Sequence, residues 1–197
     1  MRLSKATKIG VAALAACGAL AVYVRMTSAQ LGADDDAGGA GAATLSVRLA
    51  DKDGEPTDAL NVAKVVKSDA EWQALLTADQ YEIARGKGTE PAFCGGLLKT
   101  KEAGIYSCVS CGLPLFSSGA KFDSGTGWPS FSQAFAAENI TEHRDWSLGM
   151  PRTEILCARC DAHLGHVFKD GPKPTGLRYC LNSAAMRFAP SPARPKG

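Results

Sequence analysis

The sequence predicts a mainly β protein built from antiparallel sheets, with two short helices ahead of them, and three observations carry that prediction. After Thr89 the chain breaks into short β-type runs punctuated by Gly and Pro: "GIYSCV", "PLFSS", "ENITEHR", "TEILCA", "GHVFKD" and "LRYCLNSAAMRFA". Before them stand two helix-start signatures. Two C-x-x-C pairs add a set of four sulfurs that could close around a structural metal.

The chain has 197 residues, enough for one ordinary core. Its first segment is basic ("MRLSKATK") and then apolar from Ile9 to Val24. This reads as an export leader, residues 1–29, predicting a periplasmic or other extracytoplasmic location. Cleavage after Ala29 suits the small residues of "TSA", and a lipoprotein-type cut before Cys17 is a second option. An uncut leader would anchor the protein at a membrane, although the apolar run spans only about 24 Å as a helix against a core of roughly 30 Å.

Residues 30–61 are rich in Gly, Ala and Asp and read as a flexible linker, with "TLSVRL" alternating like a short strand. A catalytic domain is predicted over 62–190 and a tail over 191–197. In its first helix Ser68 and Glu71 form a capping box, with Trp72, Leu75 and Leu76 on one face. Thr77 and Gln80 start a second helix, which Gly86 and Gly88 end.

Cys108 and Cys111 in "CVSC" and Cys157 and Cys160 in "CARC" are separated by 45 residues. Four thiolates at this spacing suit a tetrahedral structural zinc, closed to substrate. The same spacing forms the reactive pair of disulfide oxidoreductases; two matched pairs, each beside a turn residue (Gly112, Asp161), favour the metal. Cys180 is the unpaired cysteine on a predicted strand, and alternation places Arg178, Cys180 and Asn182 on one face. A guanidinium and an amide beside it would lower its pKa. On that pattern alone, a reactive thiol and an inert buried cysteine are both open.

"GTEPAFCG", "GIYSCVSCGLPLF", "KFDSGTGWPSF", "GMPRTEILCARCDAHLGHVF" and "GPKPTGLRYCLNSAA" resemble, in order and spacing, the methionine-R-sulfoxide reductases of the MsrB (SelR) type. The resemblance runs from about Ser68 to Pro190. It implies the family's antiparallel β-tent fold, one structural zinc per chain and reduction of the R epimer of methionine sulfoxide in oxidised proteins. It also implies Cys180 as nucleophile, with His163 and His166 positioning water and protonating the sulfoxide oxygen, His166 being the more direct acid. Trp128 would pack on the substrate methyl group. Phe131 and Phe168 would help to wall the region, although each also reads as core.

Many members of that family carry a resolving cysteine immediately before the glycine of "GWPSF", where this chain has Thr126. Within the resemblance, the thiol left to clear a Cys180 sulfenic acid is Cys94, whose Gly95-Gly96 exit suggests a mobile loop. A thioredoxin-like partner would then reduce the Cys94–Cys180 disulfide. The alternative is a free surface cysteine, with an external thiol reducing the sulfenic acid directly.

Charge argues against a nucleic-acid surface. The chain holds 22 basic and 20 acidic residues, but Arg2, Lys5, Lys8 and Arg25 belong to the leader, leaving 18 against 20 and a net charge of −2. From Glu90 to Pro190, ten basic residues face nine acidic ones. A non-enzymatic zinc-binding module and a thiol-disulfide oxidoreductase are the rival classes. The chain reads as a monomer.

Overall fold

A computed structural model describes residues 43–147, 149 and 151–191; the leader, residues 30–42 of the predicted linker and the last six residues of the tail lie outside them. The described elements are β1 (Thr44–Val47), β2 (Leu60–Ala63), α1 (Asp69–Leu75), α2 (Ala78–Ala84) and β3 to β11. Those nine strands are β3 (Gly104–Cys108), β4 (Pro114–Ser117), β5 (Lys121–Phe122), β6 (Ser130–Phe131), β7 (Ile140–Asp145), β8 (Arg152–Cys157), β9 (His163–Phe168), β10 (Arg178–Leu181) and β11 (Met186–Pro190). All pairings among them are antiparallel. Among the described residues no helix is long and apolar enough to cross a membrane.

Both capping boxes form. Ser68 Oγ accepts from the Glu71 N–H while the Glu71 carboxylate accepts from the Ser68 N–H at 2.8 Å, and Thr77 and Gln80 repeat the exchange. Trp72 is buried with the Arg85 guanidinium 5.1 Å from its ring centroid, but Leu75 is 61% exposed. Only part of the expected three-residue face forms: Leu76, the extended C-cap, packs against the core with Trp72, while Leu75 at the helix end does not.

The predicted linker also needs correction. Residues 44–63 form the β1–β2 hairpin, which buries Val47. The Arg48 N–H donates to Asn139 Oδ1 at 2.9 Å, and Asn139 Nδ2 returns a bond to the Arg48 carbonyl at 2.7 Å. Polar composition had suggested a segment that buries little; one valine and these hydrogen bonds were enough to dock it.

Nine strands form two sheets, ordered β5-β6-β10-β9-β8-β7 and β11-β3-β4. Aromatic rings join them: Phe131 of β6 lies 4.7 Å from Phe116 of β4 and 4.9 Å from Tyr106 of β3, and Tyr179 of β10 lies 5.4 Å from Phe116. Burying each such ring stabilises by about 2–3 kcal/mol. A turn at Ser183–Ala185 carries the chain from β10 in one sheet to β11 in the other. Within β10, Tyr179 and Leu181 therefore face the core, while Arg178 and Cys180 face outward.

Candidate active site

Strand register builds the site. Cys180 lies directly opposite His166 of β9 and Ser130 of β6, and His166 lies opposite Glu154 of β8. Residues opposed in this way share one face of the sheet, so thiol and imidazole emerge side by side. Arg178 pairs with Phe168 in the next row of that face.

His163 reaches the same neighbourhood through an irregularity. Three residues apart on a regular strand, His163 and His166 would point to opposite faces. The β8–β9 register shifts between Ile155 and Leu156, and the two rings lie edge to face with centroids 5.6 Å apart. Gly165 between them lets β9 and β10 pack closely: at φ +152° a Cβ there would collide with the Cys180 carbonyl oxygen.

Each imidazole is held by a carboxylate that sequence reasoning missed. His163 Nδ1 is 2.7 Å from Glu154 Oε1, with the side chains only 3% and 8% exposed. Burial pushes the His163 pKa down, outweighing Glu154. Burial pushes Glu154 up, but Lys87 and His163 outweigh it and hold the carboxyl below its usual value. A neutral ring thus donates Nδ1–H to an ionised Glu154 and leaves Nε2 as a buried acceptor without a protein partner. His166 Nε2 is 2.8 Å from Asp145 Oδ2, which also accepts from Arg152 at 2.6 Å. The Ser147 N–H, followed by its hydroxyl and His166, drives the Asp145 pKa well down.

Around the thiol, Thr126 Oγ1 lies 3.8 Å from Cys180 Sγ, and Ser124 bonds both Thr126 and Ser130 at 2.8 and 2.7 Å. The Arg178 guanidinium is gripped by Asp170 at 2.9 and 2.8 Å and lies 4.4 Å from the Phe168 ring centroid. The expected lowering of the Cys180 pKa does not result. Burial raises it, and Thr126, Arg178 and Ser130 only partly offset the rise.

The remaining predicted residues divide. Trp128 is half-buried, and its indole N–H donates to the Glu90 carbonyl at 2.9 Å. Asn182 does not flank the thiol: β10 ends at Leu181, and the buried amide accepts from the Glu90 N–H and donates to the Leu164 carbonyl. Phe131 belongs to the core, one residue out of phase with the Cys180 face. Cys94 is an exposed free thiol in a separate cavity of about 540 Å³ lined by α2 residues, Ser183 and Met186. Its Gly95 exit is tightly packed, since a Cβ there would meet Ser183 and the Glu90 carboxylate.

At the far ends of β3 and β8 the two C-x-x-C pairs fold as matching turns. The Gly112 and Asp161 N–H groups each donate at 2.9 Å to the first cysteine's carbonyl, and both residues have positive φ. The four sulfurs lie within 4.8 Å of one another, Cys108–Cys160 at 3.6 Å and Cys111–Cys157 at 3.5 Å. A tetrahedron of sulfurs at 2.3 Å from a zinc has edges of about 3.8 Å, so the set could hold a metal ion.

Residues 76–190, covering both the cysteine cluster and the Cys180 face, match the SelR domain. The chain belongs to the SelR family. Its SelR-family relatives named peptide methionine sulfoxide reductase MsrB include one from Hahella chejuensis, 62% identical over 125 residues, covering 64% of this chain and 90% of the relative. A second, from Herminiimonas arsenicoxydans, is 55% identical over 129 residues, with coverage of 66% and 94%. A third, from Thiobacillus denitrificans, is 58% identical over 124 residues, with coverage of 63% and 94%. The β1–β2 hairpin precedes the matched SelR residues.

Proposed function

We propose that this SelR protein is a peptide-methionine (R)-S-oxide reductase in which Cys180 is the nucleophile. The observation that carries the reading is the placement of Cys180 directly across the ladder from His166, with Arg178 on the same face. The thiolate sulfur attacks the sulfoxide sulfur while the oxygen is protonated by His166, oriented by Asp145. In the hydroxysulfurane so formed the hydroxyl passes to the Cys180 sulfur as its bond to the methionine sulfur and the new sulfur–sulfur bond break, so methionine leaves reduced by two electrons and Cys180 becomes a sulfenic acid. His163, neutral and fixed by Glu154, presents Nε2 to a water at the site. Trp128 and Phe168 wall the methyl-sulfur end.

Cys94 then attacks the sulfenic sulfur, releasing water and forming the Cys94–Cys180 disulfide, which a thioredoxin-like dithiol reduces by exchange. Because Cys94 opens into the neighbouring cavity, residues 91–97 must swing toward Cys180 for the sulfurs to reach about 2 Å. Zinc is the metal that four thiolates at these distances fit; held by Cys108, Cys111, Cys157 and Cys160, it would clamp the two sheets. The basic and apolar leader supports export, with or without membrane attachment, and the substrates would be oxidised proteins.

The test is an assay of both sulfoxide epimers with wild type, Cys180→Ser and Cys94→Ser. Reduction of the R epimer, its loss in Cys180→Ser and a single turnover without thioredoxin recycling in Cys94→Ser are expected. Activity on the S epimer alone, or full activity in Cys180→Ser, overturns the reading.

A further inference from the structure

Next to Trp128 lies a cavity of about 630 Å³, large enough for more than a methionine side chain. It shares a face with the thiol. Phe122, one of its walls, is opposite Ser130 in β6, and Ser130 is opposite Cys180 in β10, so all three project to the same side of the sheet. The turn between β5 and β6 separates the two spaces: Gly125 and Gly127 line the cavity, while Thr126 between them contacts Cys180 Sγ.

Its walls are basic in a domain that is otherwise balanced. Lys99, Lys101 and Lys121 line it against the single carboxylate of Asp123. The Lys121 ammonium is occupied by the Leu98 and Thr100 carbonyls at 2.7 and 2.8 Å, and Asp123 Oδ1 by the Gly125 N–H. Lys99 and Lys101 are exposed, and among the described residues neither has a carboxylate within salt-bridge reach. Phe93, 68% exposed, adds an aromatic surface beside them.

We propose that this cavity is a subsite for an acidic side chain flanking the oxidised methionine of a polypeptide substrate, with Lys99 and Lys101 as the residues that select it. The proposal rests on the reductase reading above. A methionine sulfoxide entering at Cys180 brings its neighbouring residues over the turn at Thr126 and into the cavity, where two ammonium groups meet them. Exposed pairs of this kind contribute modestly and are screened by salt.

The test measures kcat/KM of the full-length protein on short peptides carrying methionine-R-sulfoxide with Asp, Ala or Lys on either side. At low ionic strength the Asp-flanked peptide is expected to exceed the Lys-flanked one by about three- to fivefold on at least one side, with the gap closing in high salt. Lys99→Glu/Lys101→Glu is expected to reverse the order, each variant being read as a ratio to its own Ala-flanked peptide. Should that variant fail to fold, the wild-type ratio and its salt dependence still decide. Equal rates for the three peptides, or a preference for Lys, overturn the subsite while leaving the reductase intact. Reduction of none of them overturns the reductase reading itself.

Discussion

The Trp128 indole donates to the Glu90 carbonyl at 2.9 Å, so a residue four positions ahead of Cys94 fixes the tryptophan ring. The same residue's carboxylate accepts from the Ser183 and Ala184 N–H groups at 2.6 and 3.0 Å, and its own N–H donates to Asn182. One glutamate thus ties the Cys94 loop, the tryptophan and the turn that ends β10.

Glu90→Ala removes two charge-assisted bonds to backbone and is expected to lower stability by about 2 kcal/mol and to raise KM. Urea unfolding and steady-state kinetics check this. A change below about 0.5 kcal/mol with unaltered KM would remove the glutamate from that role.

Gly165→Ala would place a methyl group on the Cys180 carbonyl oxygen. Since β9 and β10 must separate to admit it, a loss of more than about 2 kcal/mol and a fall in kcat of at least tenfold are expected. Wild-type thermal stability and kcat in this variant would contradict the packing described.

Burial holds the Cys180 thiol above its ordinary pKa of 9.0 in the free protein. Alkylation by iodoacetamide is expected to rise with pH and to show no plateau before that value. Arg178→Ala and Thr126→Val each remove a group that lowers the pKa, so both should shift the curve further to high pH. A plateau reached below pH 7 would refute the environment assigned to the thiol.

The His163–Glu154 pair predicts acid sensitivity. His163 is depressed below its ordinary 6.5, so the unfolded chain binds the proton first and stability is lost as pH falls below about 6.5. Glu154 is also depressed, and its contribution is lost at lower pH in the same direction. Urea midpoints should be flat above pH 7 and decline on acidification, with a shallower decline in His163→Asn. Midpoints constant down to pH 5 would count against a neutral, buried His163.

Cys108→Ser, or stripping with a chelator, is expected to release one zinc per chain and unfold the domain. Elemental analysis and circular dichroism report both quantities. Retention of metal and structure by the variant would exclude the four-sulfur site.

Local chemistry was readable in the sequence where it depends on near neighbours. Ser68–Glu71 and Thr77–Gln80 close their caps as written, Gly112 and Asp161 take the left-handed turns beside the cysteine pairs, and the short β-type runs become strands. What needed the third dimension was less legible. The β8–β9 shift that brings His163 beside His166, the carboxylates of Asp145 and Glu154 behind them, and the diversion of Asn182 to Glu90 all depend on register between distant strands. The Cys180 pKa ran opposite to expectation because neighbours on a strand can be counted from sequence, whereas burial cannot.

The burial of the cysteine cluster has a consequence for survival among oxidants. Cys108, Cys157 and Cys160 are sealed in the core where the sheets meet, and Met186 is buried beside them, while Cys94 stands open to solvent. Peroxide arriving from solvent therefore meets Cys94 before it meets the three sealed sulfurs of the cluster. Oxidation at the exposed thiol leaves the buried sulfurs that join the two sheets untouched.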